Sequence, residues 1–141
     1  MVGTARDVVT LEMAWRGPFE PLARNVAEVR SFARERFVDI SHSSVEDVVL
    51  VVSELATNVV GHAHTRFCVG LGLGTGLARI EVSDQAPWTP SQGFPSLDLR
   101  GRGLLVVRAL CEDWGVEFLE GRKKVWAELV VSPLAGVLRW R

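Results

Sequence analysis

The chain has 141 residues, nearly half of them hydrophobic, with 16 basic and 17 acidic residues and a formal net charge of −1. That length supports one compact domain with a single sizeable core, and the near-neutral balance with scattered Lys and Arg lacks the basic footprint of a nucleic-acid binder. No basic-then-apolar leader opens the sequence and the longest apolar run, Val48 to Val52, is far short of a membrane span, so a cytoplasmic protein with no membrane partner is expected.

In chain order, Val8 to Trp15 reads as a first strand from its β-branched content, and Gly17-Pro-Phe-Glu-Pro21 is expected to break it. A helix should begin near Pro21, because Leu22, Val26, Val29, Phe32, Ala33 and Phe37 recur at steps of three and four opposite Arg24, Glu28, Arg34 and Glu35. Ser41 to Ser44 supplies caps, with Ser43 and Glu46 at capping-box spacing. Val48, Val52, Leu55, Val59 and Ala63 then continue one stripe for about four helical turns, which favours helix over strand despite the β-branched content.

Phe67 to Leu73 and Leu77 to Ser83 read as antiparallel strands joined at Gly74-Thr-Gly76. Val116 to Leu119 and Lys123 to Val131 form a second hairpin around Glu120-Gly-Arg122, in which Val125, Ala127, Leu129 and Val131 alternate with Lys124, Trp126, Glu128 and Val130, so one sheet face meets the core. Between the hairpins, about 85–102 is rich in Pro, Gly and Ser and precedes a short helix from Gly103 to about Cys111. Unstructured loops longer than about 12–15 residues tend to be lids, binding loops or disordered. Early helices and paired hairpins predict an α+β domain, with helices on one face of a mixed, mostly antiparallel sheet.

Within Val51-Val-Ser-Glu-Leu-Ala-Thr-Asn-Val-Val-Gly-His-Ala63, Glu54 and Asn58 lie four apart and so project from one helix face. By themselves they read as the wet edge of an amphipathic helix. A carboxylate beside a neutral amide oxygen also suits proton transfer and Mg²⁺ ligation near phosphates. Asp84 ends the strand Ile80-Glu-Val-Ser-Asp84 at the start of the long loop, either a turn-starting Asp or a hydrogen-bond acceptor in a cleft. Gly101-Arg-Gly103 precedes a helix start, where backbone amides converge on an anion, although a lone Gly-x-Gly is commonly just a turn.

In this order, Leu50 to Ala63, Ile80 to Asp84, Gly101-Arg-Gly-Leu-Leu-Val-Val107, Trp114-Gly-Val116 and Val125-Trp-Ala-Glu-Leu129 resemble the gyrase/histidine-kinase (GHKL) ATPase superfamily, and within it the actinobacterial anti-sigma-factor serine/threonine kinases. The resemblance covers roughly Pro21 to Leu129. It implies a two-layer α/β sandwich of the Bergerat type that binds ATP and Mg²⁺ under a lid at about 85–102.

The resemblance further implies that Glu54 is the general base toward a protein hydroxyl, that Asn58 is the Mg²⁺ ligand and that Asp84 reads the adenine amine. Gly101 and Gly103 would be the lid-end glycines, with His62, Ala86, Arg102 and Leu104 along the same nucleotide pocket. The implied partners are a sigma factor or its anti-sigma-factor antagonist, and homodimerisation is the implied assembly. Three positions depart from the pattern: Gly61 where relatives carry a basic residue, Ala86 where they carry glycine, and Lys124 near a hydroxyl position. These departures motivate an alternative, a non-catalytic relative that sequesters a regulatory partner by binding alone.

Other readings carry less. His62, His64 and Cys68 offer zinc-type ligands without a fourth at closed spacing, and Cys68 and Cys111 read as reduced structural thiols. Of the five Trp, Trp88 falls in the lid and is the one expected to be exposed and functional. The apolar tail Ser132 to Arg141 would pack on its own domain or dock a partner. A complete sensor histidine kinase is not expected, because no helical hairpin bearing a phospho-accepting His precedes the Glu54 helix.

Overall fold

The computed structural model describes residues 11–86, 103–119 and 121–134. Five strands, β1 (Glu12–Phe19), β2 (Phe67–Gly74), β3 (Leu77–Asp84), β4 (Asp113–Leu119) and β5 (Arg122–Val130), form one sheet in the order β1-β2-β3-β5-β4. Three helices, α1 (Ala23–Arg36), α2 (His42–Asn58) and α3 (Gly103–Leu110), complete the α+β architecture. Among the described residues every strand pairing is antiparallel, in keeping with the expected mostly antiparallel sheet and with no parallel pair: both tight hairpins are antiparallel by construction, and β3 joins them through β5 in the same sense.

The two sheet faces follow from the alternation of side chains along each strand. Phe67, Val69, Leu71, Ala78, Ile80, Val82, Ala127 and Leu129 point to the helices and are fully or almost fully buried. From above, α1 contributes Val26, Val29, Phe32 and Ala33, and α2 contributes Val48, Val49, Val51, Val52, Leu55 and Ala56. The periodic stripes read from the sequence are therefore the core, except that Leu22 caps α1 from outside and stays exposed.

Boundaries differ where local chemistry decides them. Strand β1 continues through Gly17 to Phe19 instead of breaking, because a register irregularity between Arg16 and Phe19 absorbs the Gly-Pro pair, and Gly17 has a φ of 127° that suits glycine. The part of the first expected strand before Leu11 lies outside the described residues. The N-cap of α2 is Ser41, whose Oγ accepts the Ser44 amide at 3.3 Å. Ser43 is thus inside the helix, and Glu46, its expected capping partner, instead meets Arg34 of α1 at 2.7 Å. That hydrogen bond from Arg34 lowers the carboxyl pKa of Glu46 and raises that of Arg34.

The chain after β5 ties the two layers together. The Ser132 amide donates to the buried Ser44 Oγ at 3.0 Å, the Ser41 amide donates to the Ser132 carbonyl at 2.8 Å, and Ile40 bridges Pro133. The tail from Ala135 onward lies outside the described residues.

Among the described residues, the opposite sheet face carries no helix and is covered by its own side chains. Trp15 lies over Gly70, Met13 over Gly72 and Trp126 over Gly115, close enough that a Cβ on any of these glycines would clash with the ring or sulfur above it. Between the two indoles, Arg79 donates to Glu81 and to Glu128, each at 2.7 Å, and stacks over Trp126 at 4.6 Å. Burial pulls the Arg79 pKa down, but these two hydrogen bonds outweigh it and hold the group above its ordinary value. Glu128, read from alternation as facing away from the core, does so and is nevertheless buried by this network.

Because Ser44 Oγ serves both the Ser41 hydroxyl and the Ser132 amide, Ser44→Ala should lower stability by about 1–2 kcal/mol, read as a reduced urea midpoint at unchanged slope. An unchanged midpoint would show that the strand-to-helix tie contributes nothing.

Candidate functional site

The site is built at the end of α2. A five-residue π-helical turn, Val59–Ala63, continues the helix, and His64 closes it at φ 56° by donating its amide to the Val59 carbonyl at 2.9 Å. Such widened turns recur at functional sites because they reposition side chains without ending the helix. The expected helical stripe therefore does reach Ala63, with its last turn in the wider form.

The burial of Val48, Val51, Val52, Leu55 and Val59 fixes the rotation of α2. Glu54 and Asn58 then fall side by side at the edge of the buried stripe, both half-buried. Neither makes a hydrogen bond or ion pair with another described residue. By contrast Ser53, one position earlier, accepts from Arg30 of α1 at 2.9 Å. His62 is exposed on the π-turn, and Gly61 beside it has open space where a side chain would project.

From the π-turn the chain enters β2, whose first residue lies beside Asp84. The Thr65 hydroxyl accepts the Gln85 amide at 3.0 Å, and Phe67, the first residue of β2, pairs with Asp84, the last of β3. Asp84 points to the helical side and is only 1% exposed. Its Oδ1 accepts the Ala86 amide at 2.9 Å, and its Oδ2 lies 3.6 Å from Lys123 Nζ. A backbone donor thus holds the carboxylate in one orientation and leaves the second oxygen without a hydrogen bond among the described residues.

Not every expected site residue can be placed. Gly101 and Arg102 lie outside the described residues, as does the lid from Pro87 with Trp88; Gly103 begins α3, and the side chain of Leu104 is not described. Lys124 does not share the sheet face of Asp84. It pairs with Ser83 and reaches Glu81 at 3.3 Å and Glu117 at 3.1 Å on the helix-free face. The lysine on the helical face is its neighbour Lys123, directly opposite Asp84. Alternation along Lys123, Val125, Ala127 and Leu129 is the signal that identifies it.

A hollow of about 440 Å³ lined by Trp15, Cys68, Ser83, Leu119, Arg122 and Lys124 opens on that same helix-free face, away from Asp84. Cys68 and Cys111 are both free thiols, and burial pushes the Cys111 pKa up to about 11, which keeps it protonated and unreactive. Among the described residues no three His, Cys, Asp or Glu side chains assemble as a metal centre, and no helix is long and apolar enough to cross a membrane.

Residues 19–129 match the Histidine kinase-like ATPase domain. The chain belongs to this family. The histidine kinase-like ATPase fold agrees with a solved relative, the crystal structure of the RsbU and RsbW domains of Rv1364c from Mycobacterium tuberculosis, at 20% identity and a TM-score of 0.66. That alignment covers 90% of this chain and 35% of the other, so the present ATPase domain spans about a third of the larger protein. No curated protein matches this sequence. Family membership makes this an ATP-binding domain in kind.

Side chains held only for chemistry contribute little to folding. Glu54→Gln and Asn58→Ala should each change stability by less than about 0.5 kcal/mol in thermal melts, as surface substitutions do. A loss of about 2 kcal/mol or more at either position would mean that it supports the fold instead.

Proposed function

We propose that this ATPase domain is a protein serine/threonine kinase of the anti-sigma type, moving the γ-phosphoryl group of Mg-ATP to a hydroxyl of an anti-sigma-factor antagonist. The observation that carries this reading is the juxtaposition of two half-buried side chains without a described partner, Glu54 and Asn58, on the helix that leads into β2, the strand whose first residue pairs with the buried Asp84. The likeness to a structure containing an RsbW domain supports the same class of function.

The donor set fits the nucleotide and the cation. Asp84 offers a buried, fixed acceptor for the adenine amine, and Asn58 offers a hard, neutral oxygen for Mg²⁺ that adds no negative charge beside phosphates. Bound Mg²⁺ would supply neutralisation of phosphate charge. Glu54 would accept the proton of the protein hydroxyl as that oxygen bonds to the γ-phosphorus and the bond to the ADP oxygen breaks. Phosphoryl transfer requires positioning and charge stabilisation rather than a covalent enzyme intermediate, so this small set suffices.

A second reading, sequestration of a regulatory partner by binding alone, is favoured by Lys123 lying against the one open oxygen of Asp84. Calorimetric titration separates the two. Under the kinase reading Mg-ATP binds and Asp84→Asn weakens it by about tenfold to a hundredfold, the worth of a hydrogen bond to a charged group. With ATP, Mg²⁺ and a cognate antagonist, Glu54→Ala should then slow phosphorylation by about 10²–10⁴. Partner binding without nucleotide binding would establish the second reading, and undiminished transfer by Glu54→Ala would remove the base assignment.

A further inference from the structure

The row Phe19, Phe67, Asp84, Lys123 and Phe118 crosses the end of the sheet on its helical side, each residue directly opposite the next. Two charges therefore stand side by side between aromatic residues, with the Phe19 and Phe67 rings 5.4 Å apart at one end. Lys123 is 24% exposed along its side chain and Asp84 1%. Their separation of 3.6 Å is attractive but too long for a hydrogen bond. Since Ala86 already occupies Oδ1, a buried Oδ2 lone pair and an adjacent ammonium N–H both remain free of hydrogen bonds to described residues. Buried polar groups are rarely left in that condition, because an unmade hydrogen bond there costs the full desolvation of the group.

An acceptor beside a donor is complementary to a ligand edge that presents a donor beside an acceptor. Adenine has such an edge, with the exocyclic amine next to the ring nitrogen N1. We propose that Lys123 is a specificity-determining residue of the nucleotide site, donating to adenine N1 while Asp84 Oδ2 accepts from the amine. The proposal rests on the reading of Asp84 as the adenine acceptor. It adds a direct charged contact from a residue on the neighbouring strand and gives Lys123 a role other than neutralising Asp84.

The test compares ATP with 1-deaza-ATP, in which N1 is replaced by a carbon that accepts no hydrogen bond, by calorimetric titration of the full chain. Wild type should bind ATP about tenfold tighter than the analogue, and Lys123→Met should bring the two affinities together by weakening ATP. Because Lys123→Met removes the counter-charge of a buried carboxylate, Lys123→Gln, which keeps an N–H donor, provides a second variant and should retain part of the preference. The wild-type ratio stands whether or not the variants fold. Equal wild-type affinities, with binding still lost in Asp84→Asn, would overturn the role of Lys123 while leaving the adenine reading intact. Tighter ATP binding by Lys123→Met would likewise overturn it, showing that the lysine competes with the base. Absence of any ATP binding by wild type would overturn the underlying reading and this one with it.

Discussion

The burial of one face of α2 is the constraint from which the rest of the arrangement follows. Val48, Val51, Val52 and Ala56 are wholly buried, and Leu55 and Val59 nearly so, between the sheet and the neighbouring helices. β-Branched side chains in a helix hold few rotamers, so a valine-rich stripe packs with little freedom to rotate about its axis. The helix gives up some intrinsic propensity for this, and tertiary burial recovers it. With the rotation fixed, Glu54 and Asn58 have one available direction. Their geometry is thus a by-product of packing rather than of any contact they make themselves.

The sheet below solves a different problem. One of its faces has a helical layer, and among the described residues the other is covered by its own side chains: indoles and a thioether laid over glycines, and an arginine clamped by two carboxylates. Glycine at positions 70, 72 and 115 is a packing requirement, since a side chain would lift the covering group off the strand. Each carboxylate of the charge network has a cation in contact, with Arg79 bridging Glu81 and Glu128 and Lys124 bridging Glu81 and Glu117, which permits Glu81 and Glu128 to be buried on this face. Chemistry is therefore partitioned by face: Asp84 and Lys123 meet the helices, while Ser83 and Lys124, one residue away on each strand, do not.

That partition also explains which parts of the molecule were legible in the sequence. Elements defined by period were readable: the α1 and α2 stripes, both hairpins and the helix from Gly103 all occur where periodicity and glycine turns place them. Elements decided by a competition between near-equivalent local options were not. Ser41 outcompetes Ser43 as the cap because its hydroxyl also joins the Ser44 and Ser132 network, and that depends on a segment almost ninety residues distant. Strand β1 runs through a Gly-Pro pair because an edge strand tolerates a missing backbone donor, a fact of sheet position that residues 17–21 alone do not contain. The face of each lysine of β5 was legible too, since alternation along the strand puts Lys123 with Val125 and Ala127 on the core side and Lys124 on the other.

The positions where this chain departs from its family look different once placed in the fold. Ala86 acts through its backbone amide, which fixes the Asp84 carboxylate, and an alanine supplies that donor as well as a glycine does. Gly61 lies on the outer side of the π-turn with open space around it, so its missing side chain leaves no packing defect. Lys124 is committed to the opposite face. Among the described residues, none of the three takes a hydrogen-bonding group away from Asp84. The residue that bears most directly on Asp84 is Lys123, whose ammonium stands 3.6 Å from the carboxylate oxygen that has no hydrogen bond to a described residue. Under the proposed reading of Asp84, discrimination between bases depends on how that ammonium shares the carboxylate with a ligand.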